Sequence, residues 1–302
     1  MISTTKLTKI YKNKGQEIKA LNGINLDIKK GEIFGIIGPT GAGKTTLIKI
    51  LSTIVTPDSG NAFIDKYDVV KQGDEVRKRI GVVVGEFTRA LYWRLTAQEN
   101  MEFFAQIKGI KNAQSEITYL LQLFDLQKSA DDPLMKYSTG MKHKLALAIA
   151  LLNNPPILFL DEPLTGIDPV TAYEIKTLIK EEFNDKTILW TSHNLYEIEE
   201  MCKRILLLKN GDAMIQGSVD ELQSKYWNYD KIVITCDKPE EFLCLPNAYL
   251  SDANKVEIQI QNLNEILRGI VTISTKKHVT LLEITSLKPS LEDIFMSMVK
   301  HA

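Results

Sequence analysis

The sequence predicts an α/β fold built on a parallel sheet with a helical insertion, followed by a small α+β appendage. Three observations carry this expectation. Short apolar runs alternate with amphipathic stretches from about Lys6 to Ser224, the pattern of a sheet flanked by helices. Three of those runs, Ile33–Ile37, Ile157–Leu160 and Thr187–Thr191, are continuous and bounded by turn residues, as strands buried on both faces are, and they are expected to lie side by side. From Lys225 onward the texture changes: 231–235, 255–260 and 279–285 read as strands, 262–269 and 290–298 as helices.

The elements follow in order. Ile33–Ile37 leads through a glycine-rich turn into the helix-compatible stretch Thr46–Leu51. The insertion, about 95–152, reads as three helices. Thr96 and Glu99 have capping-box spacing, Met101, Phe104 and Ala105 share a face, and Gly109 can end that helix. Ile117, Leu120, Leu121 and Phe124 repeat the i, i+3, i+4, i+7 spacing of a second helix, and Met141–Leu152 supplies a third. After Thr187–Thr191, strands at Ile205–Leu208 and Ala213–Ile215 flank Asn210-Gly211, a strong two-residue hairpin signal. Ser218 with Glu221 then caps a short helix. The domains are therefore expected at 1–224 and 225–302.

Composition narrows the function. A chain of 302 residues has length for about two domains. Lys plus Arg number 37 against 38 Asp plus Glu, a net charge of −1 that lacks the basic footprint of a nucleic-acid binder. The longest apolar stretch, Leu145–Leu160, is interrupted by Asn153, Asn154, Pro155 and Pro156, so no transmembrane helix is expected. The polar N-terminus offers no secretory h-region, so the chain is expected in the cytoplasm. Cys202, Cys236 and Cys244 lack metal-ligand spacing and are expected to be buried, reduced thiols.

Gly38-Pro39-Thr40-Gly41-Ala42-Gly43-Lys44-Thr45 fits G-x-x-x-x-G-K-[ST], after an apolar strand and before a helix that opens at Thr46. Such a loop curls its N–H groups around one concavity, and the following helix adds its positive end, so a polyphosphate is the matching ligand. Lys44 is expected on the β- and γ-phosphates and the Thr45 hydroxyl on Mg²⁺. A phosphate loop alone fits kinases, GTPases and ATPases equally well.

A second site follows Ile157–Leu160, which runs into Asp161 and Glu162 at the edge where open parallel sheets bind ligands. Strand alternation sends the two carboxylates in different directions. Asp161 is expected to hold Mg²⁺ directly or through water. Glu162 is expected to act on the attacking water as general base or orienter, which implies hydrolysis.

From these residues outward, roughly Ile2 to Leu222 resembles the ATP-binding-cassette (ABC) ATPase family, a P-loop NTPase fold with a helical subdomain. Tyr137-Ser138-Thr139-Gly140-Met141 is similar to the family's signature loop, Leu164-Thr165-Gly166-Ile167-Asp168 to the loop whose aspartate crosses to a partner cassette, and Thr191-Ser192-His193 to the switch-histidine segment. Tyr11 resembles the aromatic that stacks on adenine. The resemblance implies ATP and Mg²⁺ as ligands, and Ser138, Thr139 and Gly140 as a γ-phosphate receptor acting on the opposite subunit. It implies Asp168 at the dimer crossing and His193 beside the γ-phosphate. Asp168-Pro169 also has the local role of helix N-cap and first helical residue.

Three positions depart from the family pattern. No Gln lies near Ile80-Gly81-Val82-Val83-Val84-Gly85-Glu86, where the family's Mg²⁺-sensing glutamine loop is expected, and Glu86 is the nearest substitute. Thr139 stands where Gly is usual, which threatens the loop if a left-handed backbone is needed there. Met141 stands where Gln is usual. Retained but slower turnover is the expectation.

Tyr92-Trp93-Arg94-Leu95-Thr96 and Leu287-Lys288-Pro289-Ser290-Leu291-Glu292-Asp293-Ile294-Phe295 resemble cassettes of bacterial multidrug, polysaccharide and antibiotic-resistance exporters. This implies a peripheral subunit on the inner face of the cell membrane, working with an integral membrane permease and a second cassette, in a homodimer, and not with nucleic acid. The competing readings are a soluble cassette protein acting on ribosomes or DNA and a nucleotide kinase. The first lacks its tandem cassettes or heptad insertions here, and the Ser138 and Asp168 motifs weigh against the second.

Overall fold

The computed structural model describes residues 1–13, 16–84, 90–226, 230–260, 262–287 and 291–292, and the chain divides into two units, 1–217 and 218–302. In order, the first unit runs β1 (Ile2–Asn13), β2 (Gln16–Ile28), β3 (Ile33–Ile37), α1 (Lys44–Leu51), β4 (Ser59–Ile64), β5 (Tyr67–Asp68), α2 (Gly73–Arg77), β6 (Ile80–Val83) and α3 (Ala97–Ile107). It continues with α4 (Gln114–Leu123), α5 (Thr139–Leu151), β7 (Ile157–Asp161), α6 (Pro169–Glu182), β8 (Thr187–Ser192), α7 (Leu195–Met201), β9 (Arg204–Lys209) and β10 (Asp212–Ser218).

A six-stranded sheet in the order β10-β9-β3-β8-β7-β6 is the centre of this unit, and the pairs β9–β3, β3–β8, β8–β7 and β7–β6 are all parallel. The three apolar runs read from the sequence occupy its adjacent middle strands, and every residue of β7 and β8 is buried. The Asn210-Gly211 hairpin forms with both residues at positive φ (51° and 83°), the backbone a type I′ turn demands. A second, antiparallel sheet, β2-β1-β4-β5, was not legible in the sequence. Its Ile2, Leu7, Leu21, Ile24 and Ile28 join α1 and β3 in one core.

The helical insertion lies between the neighbouring strands β6 and β7. The Thr96–Glu99 capping box is complete in both directions, and Gly109 follows α3 in the left-handed conformation (φ 69°). The expected face of α4 is buried through Ile117, Leu120 and Leu121. One residue the pattern did not flag is Lys108, whose ammonium donates to the carbonyls of Ile149, Ala150 and Leu152 and so closes the C-terminal end of α5. Burial pushes its pKa down to about 8.

In the second unit, α8 (Val219–Tyr226) starts with the Ser218–Glu221 capping box. β11 (Asp230–Cys236), β12 (Ala248–Asp252) and β13 (Lys255–Ile260) precede α9 (Leu263–Lys277) and β14 (Leu281–Leu287), and the antiparallel sheet order is β12-β13-β11-β14. β12 was not expected. Nor does the helix stop at Gly269: it runs to Lys277, and His278 is the left-handed terminator (φ 53°). Gly269 is there for closeness, since a Cβ on it would come within 2.8 Å of the Leu245 side chain.

The helix expected over 290–298 lies outside the described residues except for Leu291 and Glu292, which are helical. Cys202 and Cys236 are buried as expected, but Cys244 is exposed, because it closes a 3-10 turn (Pro239–Cys244) that turns Phe242 inward instead. Among the described residues no helix is long and apolar enough to cross a membrane.

Candidate functional site

β3 delivers the chain into the loop Gly38-Pro39-Thr40-Gly41-Ala42-Gly43, and α1 begins inside the motif at Lys44, two residues before the expected Thr46. The N-cap is Gly43 at φ 110°, with no side-chain cap, so the first N–H groups of α1 face the loop concavity. Only glycine suits that position: its backbone is left-handed, and a Cβ would come within 2.3 Å of the Ala20 carbonyl. Ala42 N–H donates to the Pro39 carbonyl at 3.1 Å, and the hairpin's Gly211 N–H donates to the Ala42 carbonyl at 3.0 Å, pinning the loop to β9–β10.

Lys44 is buried, and its ammonium donates to the carbonyls of Gly38 (2.7 Å) and Pro39 (3.3 Å). It also lies 3.4 Å from a Glu162 carboxylate oxygen. A cavity of about 400 Å³ opens over this loop, and Thr45, Thr46, Tyr11, Ile18 and Ala20 are among the residues that line it. Tyr11, on β1, is 39% exposed, with the Lys9 ammonium 5.5 Å from its ring centroid.

The two carboxylates diverge for a reason other than strand alternation. β7 ends at Asp161, and Glu162 has already left the strand at φ 51°, a conformation that costs a non-glycine residue on the order of 1–3 kcal/mol unless its surroundings fix it. They do so here. The Glu162 N–H donates to the Thr191 carbonyl at 3.1 Å and its carboxylate accepts from Thr165 Oγ1 at 3.3 Å. Asp161 stays buried and accepts from Thr191 Oγ1 at 2.5 Å.

Thr191, at the end of β8, thus ties the two acids together, and a hydroxyl closing an otherwise apolar run was the available signal for it. His193 follows β8, and its Nδ1 lies 3.0 Å from Glu162 Oε2. Its loop is held by Asn194, the N-cap of α7, and by Ser192, whose hydroxyl donates to Glu197 at 2.8 Å. Burial pushes the Glu197 carboxyl above its ordinary value.

The remaining motif residues stand elsewhere. Ser138 is the N-cap of α5, its hydroxyl accepting from the Met141 N–H at 3.1 Å, and neither it nor Thr139 nor Gly140 lines the cavity. Thr139 is an ordinary first helical residue with no left-handed backbone, so the strain anticipated there does not arise. Asp168 is the N-cap of α6 and accepts from the N–H groups of Thr171 and Val170, which holds its carboxyl below the usual carboxylate range. It does not line the cavity either. Glu86 lies outside the described residues.

The donor set suits a magnesium-bound triphosphate. Mg²⁺ keeps most of its ligands as water and phosphate oxygens, so it needs few protein ligands, and among the described residues no group of three or more His, Cys, Asp or Glu could hold a metal alone. Thr45 lines the cavity, whereas Asp161 is buried in the sheet and is not part of its lining. A left-handed glycine loop at an uncapped helix start, with a buried ammonium in it, is a polyphosphate cradle.

The ABC transporter family model matches residues 21–165. The linearmycin resistance ATP-binding protein LnrL of Bacillus subtilis is 30% identical over 99% of this chain and 98% of its own length. The chain belongs to the ABC transporter family. This ABC ATPase is also 30% identical to the daunorubicin resistance ATP-binding protein DrrA3 of Streptomyces coeruleorubidus, over 93% of this chain and 91% of that protein.

Among solved structures, a dimeric bacterial ABC transporter cassette superposes with a TM-score of 0.66 at 31% identity, covering 72% of this chain and all but 1% of that one. A dimeric cassette in a post-hydrolysis state, bound to ADP and Pi, gives 0.65 at 30% identity. The fold is the P-loop NTPase ABC cassette, and the chain is an ATPase that uses ATP with Mg²⁺.

Proposed function

We propose that this ATPase powers a membrane exporter: two cassettes close on ATP and hydrolysis reopens them. The observation that supports the reading is the lining of the cavity. The cavity over the phosphate loop holds Lys44 and Glu162, whereas Ser138, at an exposed helix start, is not part of it. A second copy supplies the missing half. Ser138 and Gly140 of one chain then face the γ-phosphate held by the other, and Asp168 sits at the crossing.

Within each site Lys44 binds the β- and γ-phosphates, the loop from Gly38 to Thr46 holds the chain of phosphates, and Tyr11 stacks on adenine. Thr45 and Asp161 would hold Mg²⁺, which would supply neutralisation of the phosphate charge. Glu162 accepts the proton of the attacking water, and His193 orients that water and the γ-phosphate. The partner is an integral membrane permease, and the cassette works on the inner face of the membrane, with the second unit as an accessory domain. The resistance functions in the names of LnrL and DrrA3 support export.

Mixing variants tests the shared site. Lys44→Ala and Ser138→Ala chains, each inactive alone, recover activity together if the halves lie on different chains, because one of the two sites is then intact. No recovery would refute the shared site.

A further inference from the structure

Glu162 carries the proposed proton transfer from a left-handed backbone, so the turn after it must be held. The next residue, Pro163, is buried, and its carbonyl faces His143 Nδ1 at 2.9 Å. A carbonyl oxygen only accepts, so Nδ1 carries the proton in this contact. Burial holds the imidazole below its ordinary pKa, so the ring is neutral near pH 7.

The ring is anchored from behind. His143 sits in the second turn of α5, which is tied to α6 by Lys144 donating to Glu174 at 2.8 Å. Gly140 lies so close to Thr171 that a Cβ would meet its methyl at 2.7 Å, and the Thr171 hydroxyl donates to Asp168 at 2.8 Å. The helix that presents Ser138 outward therefore grips, one turn later, the turn that carries Glu162.

We infer that His143 is a positioning residue for hydrolysis: its ring N–H, on the Pro163 carbonyl, fixes the turn that aims the Glu162 carboxylate. The inference rests on the reading of Glu162 as the base. His143 does not line the cavity over the phosphate loop. Its removal should lower kcat and leave nucleotide affinity alone, because Lys44 and the phosphate loop are held by other bonds.

The test compares His143→Asn with His143→Leu in the full chain. The two side chains have similar shape, but the Asn amide nitrogen takes the place of Nδ1 as donor and Leu has none. His143→Leu should lose ~10- to 100-fold in kcat, the scale of a small misplacement of a catalytic group, while the Kd of fluorescent ATP stays within ~2-fold of wild type. His143→Asn should recover most of kcat.

Equal kcat in the two variants would overturn the proposal, as would a fall in ATP affinity matching the fall in rate. A Leu variant that does not fold while Asn does would assign the bond to the fold alone and overturn it as well. Glu162→Gln, run alongside, separates the layers. If it keeps wild-type turnover, the base assignment itself is wrong. If it loses turnover while both His143 variants keep theirs, only the positioning role is wrong.

Discussion

Replacing Thr191 by Val isolates the hydroxyl that links the two acids. Val keeps the β-branched shape inside β8, so the change removes hydrogen bonds with little change in packing. The bond at stake is the 2.5 Å donation from Oγ1 to the buried Asp161 carboxylate. Hydrogen bonds to charged groups contribute about 1.5–3 kcal/mol. The Glu162 N–H loses its 3.2 Å contact with the same hydroxyl but keeps the 3.1 Å bond to the Thr191 carbonyl, so that part adds little.

Burying a methyl in place of the hydroxyl returns up to about 0.8 kcal/mol. The net is a loss of about 1–2 kcal/mol, read as a lower urea midpoint at unchanged m-value. Turnover should fall with it, since the buried Asp161 carboxylate loses the hydroxyl that holds it. A Thr191→Val chain with wild-type midpoint and wild-type kcat would refute the argument that this hydroxyl organises the site.

Two further outcomes follow from other positions. Gly43→Ala forces a Cβ into the Ala20 carbonyl at a left-handed backbone, which should weaken ATP binding by ~10-fold or more in a fluorescence titration, as more than ~1.4 kcal/mol of strain requires. Lys108→Met removes a partly buried ammonium whose folded pKa, about 8, lies below its ordinary value of 10.5. Between those values the unfolded chain binds more protons, so this group makes stability rise as pH increases from about 8 to 10.5, by an amount that solvent around the exposed side chain reduces. The rise should be present in wild-type urea unfolding and absent from Lys108→Met.

Local signals were the legible part of this chain. The Thr96–Glu99 and Ser218–Glu221 boxes, the Asn210-Gly211 turn and the three apolar runs each depend on residues close in sequence, and each formed where its pattern stood. β1 and β2 escaped notice because their inward positions, such as Leu7, Leu21 and Ile24, are spaced by bulges that break strict alternation. The C-terminal half of α9 lies beyond Gly269, where the expected helix ended, and it contains Thr272 and Thr275. In the structure their hydroxyls donate back to the carbonyls of Arg268 and Val271 and the helix continues.

At the candidate site, residue types and order singled out the phosphate loop, Asp161, Glu162 and His193, and the structure brings Lys44 and His193 to the Glu162 carboxylate. The bond of Thr191 to Asp161 and the His143 contact with Pro163 join residues distant in sequence, and no local spacing announces those pairings, although the hydroxyl at the end of an apolar run pointed at Thr191 itself. The left-handed backbone of Glu162 is local, but glutamate is not a residue type that signals it.

In the proposed cycle two copies of this chain hold ATP between them. Analytical ultracentrifugation of the Glu162→Gln chain, which is expected to bind nucleotide without turning it over, reads this out. A monomer is expected without nucleotide and a dimer with saturating ATP and Mg²⁺. A chain that stays monomeric with ATP, or one that is dimeric to the same extent without it, would contradict it.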